Sequence, residues 1–339
     1  MMNRQTITEG QSLPAVPDAP PIPGLTFRRF RGEPDYPVMV AILDACNDAD
    51  GLEYINTVAD MASLFAHLKN CDPYRDMLFA EVYGETVAFS RVWWEEASPA
   101  WYYIPLGFVH PAWRRKGLGM AMLRYGETRL REAAREHPAG EKRFRVWTTD
   151  KEYGAWALFT QAGYEPVRHY IEMTRPIDAP LPNAPLPAGL DVRPVAPEQY
   201  RAVWDAKEEA RQDHWGYAPT TDADFERWTE TRTFAPHLWK VAWDGEQVAG
   251  MALNHLDEEQ NARYHRRRGR TQYVFVRRPW RRRGLARALL VQSIEMFKAM
   301  GMAETALGVD TQNPSGALKL YESLGYQEGR RHTFFDKKL

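Results

Sequence analysis

Two stretches of alternating apolar and polar positions set the framework. Residues 77–92, "MLFAEVYGETVAFSRV", are two strand-like runs around a Gly-Glu-Thr turn. Residues 238–253, "LWKVAWDGEQVAGMAL", repeat the pattern around Asp244-Gly245. Both predict β-hairpins. Each is followed by an aromatic or β-branched strand, "WYYIPLGFV" at 101–109 and "TQYVFV" at 271–276. The period then changes. In the second copy Leu285, Leu289, Ile294 and Phe297 fall near helical spacing, and Gly301 marks an end. Another strand follows, "RFRVWTT" or "TALGVDT", then a short helix closing on "AGY" at 162–164 or "LGY" at 324–326. The same series met twice predicts an internal duplication into two similar α/β domains.

Length agrees, since 339 residues suit two domains better than one core. The segment around 176–189 is rich in proline and reads as a semi-rigid extended linker between a first domain at 25–175 and a second at 190–339. Residues 1–24, proline-rich and polar, predict a disordered tail without the apolar segment of a signal peptide. No apolar run approaches a membrane span. The two cysteines, Cys46 and Cys71, lack metal-ligand spacing, so free thiols, a reducing cytoplasm and no metal are expected. The net charge of −1 argues against a dedicated nucleic-acid binder. With two similar domains in one chain, a monomeric pseudo-dimer is expected.

Charge is nonetheless concentrated at two places. "PWRRRGLARALL" at 279–290 and "AWRRKGLGMAML" at 112–123 each lie between a strand and a helix. The first N–H groups of such a helix are unpaired and form an anion site with the helix dipole. Gly284 admits a phosphate to the backbone, Ala286 keeps the next turn small, and Arg281, Arg282 and Arg283 add charge. Arg114, Arg115, Lys116, Gly117 and Gly119 offer the same parts. Both phrases read as pyrophosphate cradles.

These phrases, Arg281-x-x-Gly284-x-Ala286 and Arg114-x-x-Gly117-x-Gly119, resemble the acyl-CoA pyrophosphate loop of the GNAT (GCN5-related) N-acetyltransferases. "VDTQNPSGALKLYESLGY" at 309–326 resembles that family's next signature. The resemblance covers nearly all of both halves, and the tandem arrangement is similar to the mycothiol-synthase-like proteins. It implies two mixed, centrally splayed sheets flanked by helices, with acetyl-CoA lying in the V between two parallel strands. It also implies a cofactor contact set of Phe275, Val276, Leu285, Arg287, Asn313 and Ala317 in the second half. In the first half it implies Val109 and Leu118, alongside the loop residues already named. The amide near Val276 polarises the thioester, and Tyr321 takes the position of the acid that protonates the departing thiolate. In the first half Phe159 stands at that position and no Asn matches Asn313, so catalysis is expected in the second.

No carboxylate lies on the strand before the second loop. Asp213, His214, His255, Asp257 and Glu258 are candidate bases, with His255 favoured for its ordinary pKa and a water relay equally open. Trp215 and Tyr217 are candidate walls of an acceptor pocket, with Asp213, Asp222 or Asp224 to attract an amine. "RYHRRRGR" at 263–270 predicts an exposed turn. The leading reading is an acetyl-CoA-dependent N-acetyltransferase acting on a small amine. A non-catalytic acyl-CoA-binding protein is one alternative, and an RNA- or ribosome-associated protein using the 263–283 arginines is another.

Overall fold

The computed structural model describes residues 14–339 except Ser98 and Pro314. The first half runs β1 (Leu25–Arg28), α1 (Tyr36–Asp50), α2 (Val58–Ala66), α3 (Pro73–Asp76), β2 (Met77–Val82), β3 (Glu85–Ala97), β4 (Ala100–Val109), α4 (Leu118–Ala134), β5 (Lys142–Thr149), α5 (Tyr153–Gln161) and β6 (Glu165–Pro176). The second runs β7 (Asp191–Val192), α6 (Tyr200–Arg211), α7 (Asp222–Thr229), β8 (Lys240–Asp244), β9 (Gln247–Leu256), α8 (Glu258–Arg263), β10 (Arg268–Val276), α9 (Leu285–Ala299), β11 (Glu304–Asp310), α10 (Ala317–Ser323) and β12 (Gln327–Lys338). Both expected hairpins form, β2–β3 and β8–β9, and the expected α/β duplication is present. Local signals repeat too. α2 and α7 each start on a capping box, Thr57 with Asp60 and Thr221 with Asp224, which satisfies the first free N–H groups.

The twelve strands of the described residues join one sheet, in the order β1-β2-β3-β4-β5-β12-β6-β11-β10-β9-β8-β7. The last strand of each half has crossed over. β6 pairs antiparallel with β11 of the second half, and β12 pairs antiparallel with β5 of the first. β6 and β12 then pair with each other, with Tyr170 opposite His332. A local two-fold relation runs through that pair. Helices α4 and α5 pack one face of the sheet around Phe144, Val146 and Phe335, and α9 and α10 pack the same face around Leu307 and Val309. The opposite face carries α1 and α2 from one half and α6–α8 from the other. There Lys69 bonds Asp224, His67 lies 3.2 Å from Glu230, and Arg263 lies 3.2 Å from Asp48.

The exchange is fastened by Arg145 of β5 and Asp336 of β12, joined by two 2.8 Å hydrogen bonds with both side chains 5% exposed. The Arg145 guanidinium also lies 3.4 Å over the Tyr102 ring. Removing one partner strands a buried charge. Asp336→Leu should therefore lower the unfolding free energy by about 3–5 kcal/mol, read by urea denaturation. A loss below about 1 kcal/mol, the range of exposed pairs, would show that water reaches the pair.

The expected disorder of the tail needs correction. Over residues 14–24 the tail is packed. Val16 is buried against Leu118, Ala121 and Met122, and Asp18 pairs with Arg124 at 3.1 Å. The rest of that tail, residues 1–13, lies outside the described residues. The proline-rich linker is extended and packs along the core. Leu181 and Ala184 pack on the core beneath α9, and Leu186 and Leu190 pack near Trp280 and Leu285. Proline leaves such a chain without helix or sheet bonds, so its carbonyls need other donors. The fully buried Arg175 supplies them, donating to the carbonyls of Pro176, Ile177, Ala179, Pro180 and Leu324.

Candidate active site

The two cradles have one backbone design. A short helical turn, Pro111–Trp113 or Arg278–Trp280, leads into the loop. Arg115 and Arg282 then take left-handed φ of 63° and 62°, and Gly117 and Gly284 cap α4 and α9 at φ of 86° and 85°. Left-handed φ at the cap favours glycine. The helical hydrogen bonding begins at Ala121 and Ala288, so the preceding amides are available to an anion. The surroundings differ. Nothing lies within 4 Å of a Cβ built on Gly284, while one on Gly117 meets Pro20 of the N-terminal segment at 3.2 Å.

The side chains expected at the cofactor sort into two groups. Leu118, Leu285 and Phe275 are buried core residues, and Ala317 packs on the core, so these positions offer backbone rather than side chain. Arg114 and Arg281 are tied back into the fold. Arg281 donates from Nε to the Val276 carbonyl at 2.9 Å and pairs with Asp213 at 2.7 Å. Arg114 donates to the Val109 carbonyl at 3.2 Å and forks onto Asp50 at 2.6 and 2.8 Å. Both therefore brace the loop. Lys116 sits over the Trp113 ring at 4.4 Å, and Arg287 bonds Ser323 at 3.0 Å. Asn313 accepts from the Ser315 amide at 2.8 Å and so shapes the turn into α10. A Cβ built on Gly119 would meet Leu158 at 3.6 Å and Val109 at 3.9 Å, and Ala286 follows Leu285 on the first turn of α9. Arg282 and Arg283 flank the open Gly284 cradle.

Both halves splay their parallel strands. β4 pairs β5 only over Trp101–Tyr103, and β10 pairs β11 only over Arg268–Thr271. Only the second V has a disrupted neighbour. The register between β9 and β10 shifts between Thr271 and Tyr273, leaving Gln272 as a bulge, whereas β3 and β4 pair without a shift. A bulge frees backbone groups from the ladder and re-aims them.

Registers around the Tyr170–His332 pair allow the two V-shaped clefts to be compared position by position. Two residues along each exchanged strand come Glu172 on β6 and Phe334 on β12. Their partners in the next strand are Gly308 and Trp147. At the first cleft Trp147 packs with Trp93 and Phe334 at centroid distances of 6.1 and 5.9 Å. At the second, Gly308 is exposed, with nothing within 4 Å of a built Cβ. Gly308 follows directly on Leu307, the last β11 residue paired to β10, so the opening stands at the apex of the V.

Polar groups converge there. Glu172, opposite Gly308, accepts from Arg270 at 2.7 Å and lies 3.7 and 3.9 Å from Arg268 and Arg330. Burial alone would raise its carboxyl, but Arg270, Arg330 and Arg268 outweigh that and hold it below the ordinary value. His255 stands in register with Arg270. Burial, with Arg270 adding to it, pushes its imidazole down to about 4, so it is a weaker base than its type alone implies. Sequence reasoning missed Glu172 because it belongs to the first half and arrives only through strand exchange.

Of the other candidate bases, Asp213 and Asp257 are held in ion pairs, while burial lowers the His214 imidazole. Hydrogen bonds from Arg278 and Arg281 bring Asp213 down to about 2. Asp257 accepts from the Gln260 amide at 3.0 Å and pairs with Arg232 at 2.8 Å. Glu258 lies in the first turn of α8. Asp222 pairs with Arg201 at 2.7 Å, and Asp224 with Lys69 and its own cap. Asp213, His214, Trp215 and Tyr217 do come together, lining with Arg168 and Gln312 a pocket of about 440 Å³ at the mouth of the second V. Trp215 reaches across to the first half, 4.2 Å from the Arg145 guanidinium.

The 263–270 segment is not a free turn. Arg266 pairs with Glu53, Arg268 with Glu304 at 2.7 Å and Arg270 with Glu172, beneath the loop that follows α1. Arg277 pairs with Glu209 at 2.6 Å. Arginines spent this way offer little to an RNA backbone. Tyr321, on α10, is buried in the core cluster beside Tyr326 at 6.1 Å between centroids, and burial raises its phenol. Phe159 holds the matching place on α5, 6.0 Å from Tyr164. Among the described residues no cluster of His, Cys, Asp and Glu is arranged to hold a metal, and no helix is long and apolar enough to cross a membrane.

Comparison with known proteins follows the same lines. The model of the Acetyltransferase (GNAT) family matches residues 43–164 and 197–326. A mycothiol acetyltransferase of Renibacterium salmoninarum is 26% identical over 231 residues, which is 67% of this chain and 65% of that protein. One from Thermobispora bispora is 26% identical over 295 residues, 86% of this chain and 92% of its own. The crystal structure of a GCN5-related N-acetyltransferase from Sphaerobacter thermophilus superposes with a TM-score of 0.68 at 27% identity, over 96% of this chain and 97% of that one. A tandem GNAT protein from the clavulanic acid biosynthesis pathway shares the fold, with a TM-score of 0.64 at 15% identity over 93% of this chain and 98% of its own.

Proposed function

This chain belongs to the GNAT acetyltransferase family, and from that premise we propose that its second unit, 190–339, moves an acetyl group from acetyl-CoA to the primary amine of a small molecule. The first unit, 25–175, is read as non-catalytic. A cytoplasmic location fits the relatives' small-molecule chemistry. One observation carries the assignment. The second V is opened at its apex by the Gln272 bulge and by Gly308, where the first has an unbroken ladder and Trp147.

The open Gly284 cradle and the free amides of α9 fit a pyrophosphate, with Arg282 and Arg283 beside it. Acetyl-CoA supplies the activated acyl group. The bulged strand directs backbone N–H toward the thioester oxygen, where negative charge develops. The amine nitrogen attacks the carbonyl carbon, the C–S bond breaks, and the amine gives up a proton. Glu172, ionised at the apex, draws the amine in, and the proton leaves through water. Tyr321 returns a proton to the departing thiolate.

Thiol release from acetyl-CoA across a panel of amines tests this reading. Release that depends on the amine is expected, and its absence across the panel would overturn the enzymatic reading. Calorimetry should find up to two CoA sites, with Gly117→Glu removing the first-unit site and sparing turnover. A well-folded Gly117→Glu protein without turnover would move the chemistry to the first unit.

A further inference from the structure

The two-fold relation exposes one carboxylate that the repeat has lost. Two residues before the Tyr170–His332 pair lie Arg168 on β6 and Arg330 on β12. Arg168 forks onto Asp310, with Nε and Nη2 contacts of 3.0 and 2.6 Å, and Asp310 is the β11 partner of Tyr170. The matching partner of His332 on β5 is Thr149. Arg330 therefore has no aspartate to receive it. Its side chain is only 9% exposed, it reaches Glu53 and Glu172 no closer than 3.9 Å, and its Nε is buried without a hydrogen-bond partner.

The neighbourhood is short of negative charge. Arg266, Arg268, Arg270 and Arg330 share Glu53, Glu172 and Glu304, leaving one positive charge in excess. The Arg266 Nε is likewise buried and unpartnered. A buried guanidinium without full hydrogen bonding is costly, and a carboxylate received on its fork is the fitting partner. The place adjoins the apex. Glu172, which Arg330 approaches, stands opposite the open Gly308. The roof is Tyr54, whose ring lies 5.6 Å from the Arg330 guanidinium and is 40% exposed.

We propose that the amine acceptor of the second unit also carries a carboxylate, and that this carboxylate docks on Arg330 beside the apex. This rests on the reading of the second unit as an N-acetyltransferase. The Arg168–Asp310 pair shows within the same molecule what such a docked group would look like. The class of acceptor is then an amino acid or a larger amine bearing a free acid, with the amine at Gly308 and the acid toward Tyr54. Arg330 acts in binding, so it governs KM more than kcat.

Matched acceptors test it: amines with a free carboxylate, the same amines as carboxamides, and aminoalkyl phosphates of similar length. The acid should exceed its amide in kcat/KM by at least about 10-fold, as expected for losing one charge-assisted pair, and should exceed the phosphate. Arg330→Gln should bring the acid-to-amide ratio close to one, mainly through KM. Thr149→Asp should do the same while keeping the arginine, because it restores the partner seen in the other half. Thermal melting checks that both variants fold. Equal use of acid and amide by the wild type, a preference for the phosphate, or a ratio untouched by both substitutions would overturn the proposal and leave the N-acetyltransferase reading standing. A chain that acetylates no member of the panel would overturn both.

Discussion

Gly308→Trp should lower turnover by about 10³-fold or more while acetyl-CoA still binds, since even a small misplacement at a reacting centre costs about 10²-fold. The substitution copies into the second cleft what the first already has, since Trp147 stands at the matching register position against Trp93 and Phe334. Gly308 has open space where the Cβ would go and no left-handed φ, so the side chain enters without straining the strand. The cradle at Gly284 is remote from the change, so calorimetry should record cofactor affinity near that of the wild type. Turnover surviving at the wild-type rate would show that the acceptor approaches by another route. The reverse change, Trp147→Gly, should not create a second active site, because β3 and β4 pair without the bulge.

Tyr321→Phe should lower kcat by roughly 10²–10⁴-fold, the range for lost acid–base help, with acetyl-CoA affinity little changed. Tyr321 sits on α10 beside Tyr326, and burial raises its phenol. A phenol so raised stays protonated at neutral pH, the form in which it donates a hydrogen bond to the departing sulfur. The first half has the comparison built in, with Phe159 in the same place against Tyr164 and Phe335. Single-turnover measurements separate the chemical step from product release. An unchanged chemical step would assign the proton to water.

The hairpins, the two cradles and the repeated helices were legible because each is a local pattern. Alternation marks β2–β3 and β8–β9, and Gly117 and Gly284 mark backbone that takes positive φ. The strand exchange was not legible. Alternating residues in 165–176 and 327–338 specify that strands form, and they are equally satisfied beside β5 or β11. Glu172 was hidden for this reason, because it lies in the first half of the sequence and meets β11 only in the fold. The bulge at Gln272 is a single extra residue, invisible to a period-two pattern. Sequence shows the charge of Arg281 and not Asp213, which folds back to meet it.

The exchanged strands also bear on how this chain comes off the ribosome. The first half leaves first, but its β5 edge is closed by β12, which is made only after the rest of the second half described here. Until then that edge presents unpaired backbone, the template on which chains pair wrongly with one another. β6 is also made long before β11, its eventual neighbour. Completion of the first half thus waits for a strand of the second. Losing β12 would injure the first half as much as the second.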